Sequence, residues 1–473
     1  MDNPLELPLS ELAGRLRSRQ LTALQLTEVA LSNVRLGAYR QVSDELARQH
    51  AVAADAALGA GVDLGLLHGI PVSVKDLYGV KGYETWAGSP KRLPCRFEEP
   101  GPVVRSIVEQ LAVVIGKTHT VEFAFGGVGT NPHHPTPANP WSGSDARAPG
   151  GSSSGAGVSL CEGSALVALG TDTAGSVRIP ASWTGNAALK TSPGRWSTAG
   201  IVPLSPTLDT AGVLTRTVED LAVAFRAIDP SHRSPLIPAE LRGLRFGRCD
   251  ELLFEQCSEG VVAAVDDAIA ELTSAGVRLR SLALPELGPT WELFRQGGPV
   301  SIELYHFLVS ELPEWLDEID PNVRARIGDA SKLSAHEYLS RLQAMRERAA
   351  AVDARLREVD VVVSPTVPNT PPRLSDVAAV EGYGPQNLLS LRNTAMVSYL
   401  GLCAVTLPVG KDAAGMPVGL QLFARAGSEA RLIAIAQACE RLLGTSRQRL
   451  GPCPRSNPTR GGTDAIAVPI KGD

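Results

Sequence analysis

Apolar positions along this chain follow two rhythms. Over residues 8–58 they recur at helical spacing: Leu12 and Leu16 follow Ser10, which is expected to cap the first helix. Leu26, Val29 and Leu31 follow Thr22 and Gln25, whose spacing makes a capping box. From residue 65 the apolar residues gather into short unbroken runs bounded by glycine and proline, the pattern of buried strands. The first such run, Leu66 to Val74, ends on Lys75-Asp76. A helix through Val103, Val104 and Leu111 then leads into a strand over 112–118, a helix-to-strand unit of the α/β kind. Later runs predict strands at 244–247, 360–366, 403–409 and 417–423. Helical patterns fall at 217–228, 258–275, 337–358 (with a charged outer face) and 429–443. Residues 446–473 are rich in Pro, Gly and Arg and are expected to form a loose tail. Alternating helices and strands with no Ser/Gly linker or charge block between them predict one large α/β domain over 1–445.

Between two of these elements lie two Gly/Ser clusters. Gly150-Gly151-Ser152-Ser153-Ser154-Gly155 comes first, and Gly170-Thr171-Asp172-Thr173-Ala174-Gly175-Ser176-Val177-Arg178 second, joined across the buried run Leu166–Leu169. Loops of this composition expose backbone N–H groups and hydroxyls to a ligand, which an acyl-transfer site requires. No Gly-Lys-Ser/Thr closes either loop into a phosphate cradle, and no Ser/His/Asp set can be assembled around either as a nucleophile elbow requires. On the residues alone, each cluster is also readable as a flexible turn. Lys75 is likewise either a lysine that extends to water or a desolvated base.

Composition narrows the classes. With 45 basic and 50 acidic residues the net charge is −5, which supports neither nucleic-acid nor membrane binding. Met1 to Glu6 lacks the basic and apolar regions of a signal peptide, and no stretch is long enough to cross a bilayer, so a cytoplasmic protein is expected. The seven cysteines include no Cys-x-x-Cys, and the adjacent His133 and His134 point apart in an extended segment. Neither a metal nor a cofactor is expected.

Taken together, the two clusters resemble the amidase signature family of Ser-Ser-Lys amide hydrolases. That family carries a GGSS(S/G)G loop followed by GTDT(G/A)GS-x-R-x-P, with its two serines 24 residues apart, as Ser152 and Ser176 are here. Its base lysine sits in a segment matched by Gly69-Ile70-Pro71 and Val74-Lys75-Asp76. Its LDTxG segment is matched by Leu208 to Gly212, and the resemblance extends over nearly the whole chain, most densely over 65–220.

The resemblance implies a central mixed β-sheet covered by helices on both faces. It further implies an acyl-enzyme mechanism in which Ser176 attacks, Ser152 relays the proton and Lys75 receives it. Lys75 must then be neutral, and lowering a lysine from about 10.4 to near 7–8 costs about 3–4.5 kcal/mol. The backbone of Thr173, Ala174, Gly175 and Ser176 is expected to form the oxyanion hole, with Ala174 replacing the commoner glycine. Asp172 and Arg178 are expected to pair as loop scaffold, together with Ser153 and Gly151, the latter in a cis peptide with Ser152. Gly126, Gly127 and Thr130 match the loop bordering the acyl pocket, though that loop also reads as a plain turn. Trp86, with Tyr83, is a further candidate for the pocket wall.

The expected function is hydrolysis of a small carboxamide to carboxylate plus ammonia or amine, with a small-molecule amide as partner and a homodimer as the assembly. The alternatives are the A subunit of a glutamine-dependent tRNA amidotransferase, and a catalytically silent binding protein on the same fold.

Overall fold

The computed structural model describes residues 4–455 except 233 and 329. Eleven strands form one mixed sheet: β1 Tyr39–Val42, β2 Pro71–Lys75, β3 Val113–Thr118, β4 Val167–Asp172, β5 Ala187–Lys190, β6 Thr210–Thr215, β7 Arg245–Arg248, β8 Arg278–Ser281, β9 Val361–Pro365, β10 Cys403–Lys411 and β11 Pro417–Ala424. Their order across the sheet is β1-β3-β2-β4-β6-β5-β10-β11-β9-β7-β8. In chain order the helices are α1 Leu9–Arg17, α2 Ala23–Ser32, α3 Asp44–Gly59, α4 Pro102–Val108, α5 Ser154–Glu162, α6 Arg178–Thr184, α7 Val218–Ile228, α8 Val261–Ser274, α9 Leu287–Arg295, α10 Val300–Glu311, α11 Pro321–Ile327, α12 Ala335–Arg355, α13 Val380–Tyr399, α14 Glu429–Leu443 and α15 Ser446–Leu450.

Strand alternation decides what each face of the sheet carries. In β2, Val72 and Val74 join a large core with residues of α1–α4, α7, α8 and α14. Ser73 points the other way, where its hydroxyl meets Ser159 of α5 at 2.9 Å. In β4, Val167 and Leu169 belong to the first core, while Ala168 packs with Ala156, Leu160 and Ala181 of α5 and α6. Helices therefore cover both faces, with α5, α6, α9 and α13 on the second. Lys75 has the parity of Ser73 and is delivered to the α5 side. Parallel pairing of β2 with β3 and β4 brings their C-terminal ends to one edge of the sheet, where α/β proteins bind ligands.

The Thr22–Gln25 capping box is present. Ser10 caps nothing: α1 starts after Pro8, and the Leu9 N–H donates to Asp220 of α7 at 2.8 Å. A carboxylate 211 residues away thus does what a local hydroxyl was expected to do. Within 8–58 the short strand β1 pairs antiparallel with β3, in a segment where helical periodicity lapses. Residues 446–450, part of the stretch assigned by composition to a loose tail, form the helix α15. Leu450 is buried against Trp141 and Met416, and Arg449 donates to Val409 O at 2.7 Å. The part of that expected tail beyond residue 455 lies outside the described residues. No helix among the described residues is long and apolar enough to cross a membrane.

Candidate active site

Both Gly/Ser clusters meet at the end of β4. The first runs into α5, and its backbone is tied down before the helix starts: Gly150 N donates to Val128 O at 3.1 Å and Gly151 N to Gly127 O at 2.8 Å. The Gly151–Ser152 peptide is cis. Ser153 N donates to Ser176 O at 3.1 Å, locking the two clusters together. The second cluster leaves β4 at Asp172 and turns through Gly175, whose φ of +141° lies in the region that favours glycine. A side chain there would also collide with the Thr394 hydroxyl, so residue 175 can carry none without displacing α13.

Lys75 is fully buried. Its Nζ lies 2.7 Å from Ser152 Oγ and 2.7 Å from Thr171 Oγ1. Loss of water pulls its pKa down to about 7, against the opposing pull of Asp209 and Asp172. Asp209 is itself pushed up to about 6, chiefly by burial, and accepts from Thr173 Oγ1 at 2.5 Å and from Leu204 N and Ser205 N at 2.9 Å. Lys75 and Ser152 are thus in contact. The Ser152 and Ser176 hydroxyls are not hydrogen-bonded to each other, a link that apo sites often tighten only around substrate.

Asp172 and Arg178 pair as expected, with both side chains wholly buried. Arg178 Nε and Nη2 reach the carboxylate at 2.9 and 2.8 Å, while Nη1 and Nη2 also hold Gln421 of β11 and Ser398 of α13 at 2.7 and 2.8 Å. The guanidinium keeps Asp172 below its ordinary pKa despite burial. One expectation needs correction here. The Gly175 N–H donates to Asp172 Oδ1 at 2.7 Å, so it is spent on the scaffold. Thr173, Ala174 and Ser176 line the cavity beside it, and Gly175 does not. Thr394 Oγ1 steadies the turn by donating to Ala174 O at 2.7 Å.

Ser176 opens onto a cavity of about 700 Å³ walled by Thr173, Ala174, Phe125, Gly126, Phe294, Arg326, Tyr383, Leu391 and Tyr399. Of the residues expected to contact substrate, Gly126 is in this wall; Gly127, Thr130 and Trp86 are not. Gly127 is packed behind it, its N–H donating to Asn387 Oδ1 at 2.7 Å. Trp86 lies under the Arg40 guanidinium at 4.1 Å, with Nε1 on Glu84, and the Tyr83 hydroxyl is turned to Val114 O. Much of the wall comes instead from α9, α11 and α13, a stretch with no motif to mark it. Lys75, the two loops and Arg178 all fall within 75–178, whereas Phe294, Arg326, Tyr383, Leu391 and Tyr399 fall within 294–399.

The chain belongs to the amidase family, whose family model matches residues 20–433. It is 50% identical over 457 residues to a 2-amino-5-chloromuconic acid deaminase of Comamonas testosteroni, covering 95% of this chain and 99% of the relative. It is 29% identical to the A subunit of the glutamyl-tRNA(Gln) amidotransferase of Geobacter metallireducens, covering 94% and 99%. Among solved structures, an amidase superposes with a TM-score of 0.83 at 30% identity, covering 93% of this chain and 100% of that one. The protein is accordingly an enzyme, a hydrolase of amide C–N bonds on the amidase signature fold.

Proposed function

We propose that the chain cleaves a small carboxamide through a Ser176–Ser152–Lys75 relay. The observation that carries this reading is the contact between a buried lysine with pKa near 7 and the Ser152 hydroxyl. Neutral Lys75 gives an N–H to Thr171 Oγ1, which leaves its lone pair for the Ser152 proton. Ser152 in turn takes the proton of Ser176 as that oxygen adds to the carbonyl. The developing oxyanion is met by the N–H groups of Thr173, Ala174 and Ser176, each worth about 3–4 kcal/mol in sites of this kind. The proton then returns through Ser152 to the nitrogen, ammonia or amine leaves, and water hydrolyses the acyl-Ser176 ester by the same relay.

Ser176→Ala removes the attacking oxygen and little volume. It is expected to abolish ammonia release from a panel of primary amides and labelling of the Ser176 peptide by a neutral alkyl fluorophosphonate, with an unchanged melting curve. Turnover at the wild-type rate in a clean preparation of the variant would overturn the assignment.

A second reading, removal of the amino group from an unsaturated amino diacid, is favoured by the 50% identical relative and its deaminase name. Ammonia release from 2-aminomuconate, set against the amide panel, separates the two. The reading as an amidotransferase component has weaker support, from relatives at 29% identity, and predicts ammonia release from glutamine.

A further inference from the structure

Apart from the nucleophile and its loop, the cavity wall holds donors with capacity to spare, among them Arg326 and Tyr399. Arg326 of α11 lies against the Phe125 ring, its guanidinium carbon 3.6 Å from the ring centre, and Nη1 donates to Phe125 O at 2.6 Å. A guanidinium carries five N–H donors in a fixed plane, so most of its capacity is open. Among the described residues no carboxylate lies within ion-pair distance of it. Asp320, whose charge reaches it, turns its carboxylate to Asn322 N at 2.8 Å. The second donor is the Tyr399 hydroxyl of α13. Tyr399 is 2% exposed, and among the described residues its oxygen has no hydrogen-bond partner. A buried hydroxyl left unpaired is costly, which makes this one a waiting donor. Other cations of the wall are occupied: Arg341 is held by Glu337 at 2.7 Å and by two backbone carbonyls, Arg295 pairs with Glu292, and Lys332 is likewise engaged.

We propose that Arg326 and Tyr399 form a carboxylate subsite, so that the preferred substrate is the monoamide of a dicarboxylic acid, its free carboxylate on the guanidinium and its amide carbonyl at Ser176. This rests on Ser176 as the attacking group. When the leaving group is ammonia, the acyl part alone must fill a cavity of about 700 Å³, and the open N–H groups of Arg326 with the unpaired Tyr399 hydroxyl are matched by the two oxygens of a carboxylate. Burial lowers the Arg326 pKa, and a guanidinium is the side chain that keeps its charge in proteins.

The test is protection of Ser176 from a neutral alkyl fluorophosphonate by adipate, with hexanoate, which lacks the second carboxylate, as the comparison. In the full-length wild type adipate is expected to protect at a concentration ~10–100-fold lower than hexanoate, the range of a charge-assisted hydrogen bond. Arg326→Met should bring that ratio to about one, Arg326→Lys should keep part of it, and Tyr399→Phe should lower it by several-fold. Should the Met variant fail to fold, Tyr399→Phe, which removes a single oxygen, still reads the subsite. Equal protection by the two acids in the wild type, or an unaltered ratio in the folded variants, overturns the subsite while leaving the serine assignment standing. Absence of any labelling at Ser176 overturns the serine assignment itself, and the subsite with it.

Discussion

At the scale of single residues, Lys75 joins function to instability. Unfolded, its amine holds a proton up to about pH 10.5; folded, burial releases that proton at about 7. Between those values the unfolded chain binds more protons, so raising the pH stabilises the fold. The destabilisation is complete below about pH 7 and gone above about 10.5. The acid limb of kcat/KM should accordingly fall as pH drops through about 7 and should survive replacement of His119, His133 or His134. Lys75→Met is expected to lose most of the rate at neutral pH. It should also melt higher than wild type at pH 7, with a gain that shrinks as the pH approaches 10. A lower melting point at pH 7 would mean that the contacts to Ser152 and Thr171 outweigh desolvation. Lys75→Arg should not rescue activity, since a guanidinium cannot accept the proton.

At the scale of elements, the site depends on helices held against a sheet edge by buried polar clamps. Arg178 begins α6 and reaches β4, β11 and α13 at once. Arg178→Met strands Asp172 without its counter-charge, and about 3–5 kcal/mol of stability should be lost in urea denaturation. A loss under about 1 kcal/mol, the scale of an exposed ion pair, would show that the clamp is not structural. The start of α5 is equally constrained: a Cβ at Gly155 would collide with Ala38 O. Much of this was legible beforehand. The run ending at Lys75, the paired loops and the Asp172–Arg178 pair all sit in contiguous sequence, where local pattern speaks directly. The cavity wall was not legible, because Arg326, Tyr383 and Tyr399 come together only by packing of α11 and α13. An arginine on an otherwise ordinary helix looks the same whether it faces solvent or substrate. Trp86 misled for the converse reason: its place beside the lysine strand in sequence says nothing of Arg40, which covers it. Loop composition likewise does not reveal that Asp172 takes the Gly175 N–H.

For the molecule as a whole, we propose that the packed body extends through α15 rather than stopping at 445. A chain ending at residue 445 loses Leu450, whose burial alone is worth roughly 1.5–3 kcal/mol, and uncovers Trp141 and Met416. It should melt below a chain ending at 455, and equal melting temperatures would place the boundary back at 445. The split of the site along the chain carries a further consequence. The proposed relay of Lys75, Ser152 and Ser176 lies in 75–178 and much of the cavity wall in 294–399, so the two sets can be inherited under different pressures. On that proposal, any change to the first stretch is tested at once against Lys75, Ser152 and Ser176, whereas the second can drift through new shapes and charges while the relay stays intact. A lineage built this way can take up new amides by rewriting one portion of its gene, and a change of substrate should leave its mark in α11 and α13 before it touches the glycine loops.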